Sequence, residues 1–163
     1  MQVVEHLKGL DEAAFLELYE GLSQQGFGPM DRDVAASLKF RPQAIRKLPM
    51  PQRAKRAKQL LERSSNEEMA YELFGTYLMK RCEGLIPGFL DKTGVPHNEG
   101  MIEDLEAGIP DEGKIEGAVQ ELEDEFGKPA VDMYLAMAAS QWPKLGKLDE
   151  LWRTRTGLGA EAS

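Results

Sequence analysis

Residues 65–86, SNEEMAYELFGTYLMKRCEGLI, place Met69, Leu73, Phe74, Tyr77, Leu78, Cys82, Leu85 and Ile86 at intervals of mostly three and four. That spacing gathers them on one side of a helix with 3.6 residues per turn and predicts an amphipathic α-helix with a wide apolar stripe. Ser65 with Glu68 makes a capping-box pattern at its start. One helix at the centre of the core is therefore expected. Pro87 and Gly88 kink or end it, and Phe89 and Leu90 add a turn before Gly94 closes the element.

Working outward, apolar residues recur at helical intervals along nearly the whole chain, and the alternating runs that mark half-buried strands are missing. Toward the N-terminus a helix opens at Asp11, a good N-cap residue, carries Phe15, Leu18, Tyr19 and Leu22 inward, and ends at Gly26-Phe27-Gly28-Pro29. Two brief helices follow, at Asp31 to Lys39 and after Pro42, and then a longer one from Gln52 to Arg63 with Ala54, Ala57, Leu60 and Leu61 inward. Toward the C-terminus Ile115, Val119, Leu122 and Phe126 define a helix stopped at Gly127. The next starts with Pro129, carries Val131, Tyr134, Leu135 and Ala138, and ends before Pro143. A last helix runs from Lys144 to about Arg153 with Leu145, Leu148, Leu151 and Trp152 inward, and 157–163 reads as a disordered tail. The fold class is all-α: an irregular orthogonal or mixed bundle of about six to eight helices, in one domain over 1–156, with no internal repeat.

Composition narrows the function classes. No stretch approaches the roughly 20 apolar residues of a membrane span, and Met1 to Leu10 lacks the basic-then-apolar order of a signal peptide, so a cytoplasmic protein with no membrane partner is expected. Cys82 is the only cysteine, which rules out an intramolecular disulfide and a zinc site built on several thiolates. Its apolar neighbours predict a buried thiol. Met69, Met79, Met133 and Met137 read as gap-filling core residues, and Trp142 and Trp152 as large side chains closing one end of the core, with an exposed anchor for a partner as the alternative for the tryptophans.

Charge is the main clue. The chain is acidic at −8 overall, yet residues 30–63 hold ten Lys and Arg against three acids, a net of +7, while residues 99–125 hold eleven acids against Lys114, a net of −10. A basic segment in an acidic chain points either to docking on an acidic surface, in the same molecule, a protein partner or a second copy, or to phosphate binding. Arg46, Lys47, Arg53, Lys55, Arg56 and Lys58 are the candidate interaction face. The stretch from Asp33 to Leu48 resembles a helix-turn-helix core. Two short helices meet there, Ala35 takes the small inward position, Ile45 follows ten residues later, and Val34, Leu38 and Leu48 supply apolar contacts. The resemblance implies outward Arg41, Gln43, Arg46 and Lys47 on the second helix; its departure is Lys39, where the turn usually holds a glycine.

The segment 95–110 holds Pro96, Gly100, Gly108 and Pro110, has no sustained period and is long for a connection, which marks it as the candidate functional loop. Asp91, His97, Glu99, Glu103 and Asp104 gather an imidazole with carboxylates, types suited to zinc, manganese or iron, but in no established ligand spacing. Counting an EF-hand from Asp91 puts Thr93 and Val95 at ligand positions, so that motif fails. No glycine-rich phosphate loop, nucleophile elbow, HExxH or Cys-His arrangement occurs. The expected function is thus a non-enzymatic helical protein-interaction or accessory protein without catalytic residues, metal or cofactor, acting on a protein partner or as a homo-oligomer. One alternative is a nucleic-acid binder using 33–48 with the basic helix 52–63. Another is an enzyme or metal protein centred on His97, read there as a loop-stabilising hydrogen-bonding residue if no metal binds.

Overall fold

The computed structural model describes residues 2–24, 49–64, 67–98, 100, 102 and 108–158. These form eight helices and no strand: α1 Gln2–Gly9, α2 Glu12–Gln24, α3 Met50–Ser64, α4 Glu67–Arg81, α5 Leu85–Lys92, α6 Glu112–Phe126, α7 Lys128–Gln141 and α8 Gly146–Thr156. The protein is an all-α helical bundle. The helix pair expected between Asp31 and Leu48, the Gly26 turn, Ser65 of the capping box and the tail from residue 159 lie outside the described residues, as do the side chains of Leu22, Leu60, Leu61 and Met69. The contacts gather into two compact units, Val3–Leu73 and Phe74–Ser163.

In the first unit, Asp11 caps α2 as its side chain predicts: its carboxylate accepts from the Ala14 amide at 2.7 Å. Phe15, Leu18 and Tyr19 are buried, with the rings of Phe15 and Tyr19 stacked at 6.4 Å between centroids. The sequence reading missed α1, which buries Val3, Val4 and Leu7. Its eight residues are too few for periodicity to register. Its cap is not local either. The Val3 and Val4 amides donate to the two carboxylate oxygens of Glu67, each at 3.0 Å, so the N-terminal turn is satisfied by a residue more than 60 positions downstream.

The second unit corrects the reading of residues 65–86. Instead of one helix ended at Pro87, α4 stops at Arg81, and Gly84, in a left-handed conformation at φ 95°, starts α5. Pro87 then falls in the first turn of α5, where a missing amide costs nothing. In an unbroken helix its ring would meet the carbonyl of Glu83, so the break comes before the proline. Leu73, Phe74, Leu78 and Leu85 are buried as predicted, but Tyr77, Cys82 and Ile86 are half-buried, and Met79, expected in the core, is 42% exposed. Gly94 does close α5. The amide of Val95 donates to the Leu90 carbonyl at 2.8 Å and that of Gly94 to Asp91 at 3.3 Å, a Schellman ending with Val95 buried beside it.

The central place in this unit belongs to α7. Every residue from Ala130 to Ala139 is buried, because alanines and methionines allow neighbours to close on all sides. Phe89 of α5 meets Tyr134 edge-on at 4.9 Å, and Trp142 and Trp152 are buried, so neither is an exposed anchor. The last helix begins at Gly146 and buries Leu148 and Trp152, with Leu145 and Leu151 only half-buried.

One charged residue lies within the buried run of α7: Asp132, 5% exposed. Lys128 donates to one of its oxygens at 2.6 Å and Arg155 of α8 to the other at 2.6 Å, while Arg155 also reaches Glu123 of α6 at 2.8 Å. Burial by itself would lower the Arg155 pKa, but the hydrogen bonds to Asp132 and Glu123 outweigh it and hold the guanidinium above its ordinary value. Arg155→Met leaves Asp132 with one partner and is expected to lower the unfolding free energy by about 2–3 kcal/mol in urea titrations. Lys128→Met, at a half-exposed amine, is expected to cost under about 1 kcal/mol.

Gly127 alone joins α6 to α7, at φ 92° and ψ 157°, a region only glycine occupies readily. Gly127→Ala is expected to destabilise by about 1–3 kcal/mol. Gly117→Ala, at an exposed site within α6 with open space around it, is expected to stabilise by about 0.5–1 kcal/mol in the same titration.

Candidate functional site

α3 forms because Pro49 and Pro51 punctuate its start. The Pro49 carbonyl accepts from the Gln52 and Arg53 amides at 3.0 and 3.1 Å, and Pro51 sits in the first turn. Small Ala54 and Ala57 are buried and let α3 lie close against α2. Beside that contact a groove of about 430 Å³ opens, lined on α2 by Ala13, Phe15 and Leu16 and on α3 by Pro51, Ala54 and the side chains of Lys55 and Lys58, with Glu12 and Glu62 also at its edge. An apolar floor with charged side chains around it suits an apolar side chain presented by a partner. Sequence alone did not find it, since a groove is made by two helices together.

The structure divides the predicted basic face. Lys55 and Arg56 are exposed. Arg53 is half-buried, with its guanidinium over the buried Tyr19 ring at 5.6 Å from the centroid, so it packs rather than projects. Lys58 is ion-paired with Glu62 one turn on. Arg46 and Lys47 lie outside the described residues. The neighbour of this basic helix within its unit is α2, which carries Glu12, Glu17 and Glu20 and no Lys or Arg. On the acidic helix α6, Glu116 pairs with Lys147, Glu121 with Lys92 at 2.7 Å and Glu123 with Arg155. Glu121 raises the Lys92 pKa by hydrogen bonding and charge.

In the long loop, the Asp111 amide donates to the Thr93 carbonyl at 2.9 Å, so its two ends meet. Val95, Gly108 and Pro110 are buried, and the Trp142 indole N–H donates to the Gly108 carbonyl at 3.0 Å. Between the buried Gly108 and Pro110, Ile109 stands 54% exposed. His97 accepts the Gly100 amide on Nδ1 at 2.9 Å, which leaves Nε2 as the protonated nitrogen, 2.6 Å from Asp91 Oδ1. Both ring nitrogens are thus engaged in holding the loop to the end of α5. Among the described residues no group of three or more His, Cys, Asp or Glu is placed to hold one. Glu99, Glu103 and Asp104 lie outside the described residues. Burial pushes the half-buried Cys82 thiol up, which keeps it protonated and weakly nucleophilic near neutral pH. No described helix is long and apolar enough to cross a membrane.

No protein-family model, curated protein or solved structure matches this chain. His97→Ala removes both loop hydrogen bonds. It is expected to cost about 1 kcal/mol of stability and to speed hydrogen exchange at the Gly100 amide, while the Ala118 amide within α6 keeps its protection.

Proposed function

We propose that this chain is a non-enzymatic helical interaction protein that docks a protein partner in the groove between α2 and α3. The observation that carries this reading is the groove itself: an open apolar floor of Phe15 and Ala54 with Lys55 at its edge. Such a surface offers burial of an apolar side chain and orientation by charge, the two ingredients of a specific docking contact.

A photo-crosslinking amino acid at the exposed Gln59, beside the groove, tests it in the full chain. Crosslinked protein is expected at Gln59 and not at Glu150, an exposed position on α8. Equal labelling at both sites, or none, would sink the reading. Duplex DNA and single-stranded RNA are expected to leave fluorescence anisotropy unchanged at low salt. Binding that weakens log-linearly with salt and vanishes in Lys55→Glu/Arg56→Glu would transfer the function to nucleic acid.

A further inference from the structure

We infer that the groove's partner is a second copy of this chain, which inserts Ile109 and sets Glu112 against Lys55. This rests on the docking reading above and names its occupant. Two features that have no use within their own units fit each other. The groove has an apolar floor, and Lys55 at its edge has no ion-pair partner among the described residues. The loop end carries the converse. Ile109 is one of two large apolar side chains left exposed among the described residues, the other being Met79.

Ile109 is also held rigidly. The residues on either side of it are buried, the carbonyl before it is bonded to Trp142, and the Asp111 amide is bonded to Thr93. A projecting apolar group fixed in this way loses little conformational freedom on binding, which favours association. Asp111 and Glu112, both exposed, follow it at once. Asp111 caps α6, and Glu112 has no ion-pair partner among the described residues. An apolar knob followed by Glu112 therefore meets an apolar groove whose edge holds the exposed Lys55, with Glu12 also at that edge and Lys58 already paired with Glu62. Knob and groove are built from different residues, so the contact is heterologous: it joins copies head to tail in a ring or an open chain. A single side chain in a groove makes a small interface, and the association is weak.

Sedimentation velocity on the full chain, from about 5 to 500 µM, tests this. The wild type is expected to gain mass with concentration. Ile109→Ser, and Ala13→Trp at an exposed position lining the groove, are each expected to weaken association at least about tenfold. An equimolar mixture of these two variants is expected to restore a one-to-one complex, because the mixture still holds one intact knob and one intact groove. Lys55→Glu alone weakens association and Lys55→Glu/Glu112→Lys regains it, a rescue that misfolding would not give. A wild type that stays monomeric throughout, or association that survives both single variants, would overturn the inference. If the wild type is monomeric while Gln59 crosslinks to a different protein, the second-copy inference falls and the docking reading stands. If Gln59 also crosslinks nothing, both fall.

Discussion

The second unit depends on how one buried carboxylate is satisfied. Asp132 sits in the run Ala130–Ala139 of α7, which is buried throughout and holds no other charge, a place where an unpaired charge would cost several kcal/mol. Arg155 resolves this by reaching back from the last turn of α8 to Asp132 and on to Glu123. One guanidinium thus ties α6, α7 and α8, and Lys128 completes the site by bonding both Asp132 and the Arg155 carbonyl. The apolar packing around Trp152 and Leu148 supplies most of the favourable burial. The ion network gives that packing a single register, because only one placement of α8 leaves no charge stranded.

The first unit solves the same kind of problem with other means. The start of α1 needs acceptors for its free amides, and Glu67 supplies both oxygens from the beginning of α4. Arg53, on the flank of a strongly basic helix, lies over Tyr19, where the ring face offers a favourable environment to a cation with little room for water. Among the basic residues of this helix whose side chains are described, Lys55 and Arg56 are exposed.

In the loop between α5 and α6 the imidazole of His97 meets one described carboxylate, that of Asp91. His97 has one nitrogen to accept and one to donate, and Gly100 and Asp91 take them both. The ends of the loop are joined through Thr93 and Asp111, and Ile109 near the second end is 54% exposed.

The local content of the sequence determined a great deal. The helical period of Phe15, Leu18 and Tyr19, of Ile115, Val119 and Leu122, and of Leu148 and Trp152 specified the class and most elements. The cap at Asp11 and the stops at Gly94 and Gly127 are local chemistry that operates as the residues dictate. What tertiary structure decided are matters of which residues meet across distance. Glu67 starts α1, Arg155 rather than a local neighbour joins Asp132 to Glu123, Tyr19 takes Arg53, and the break before Pro87 passes the central role in the second unit to α7. Periodicity records which side of a helix is apolar. It carries no information on which helix will face it, and that pairing alone makes the groove and leaves Ile109 outside.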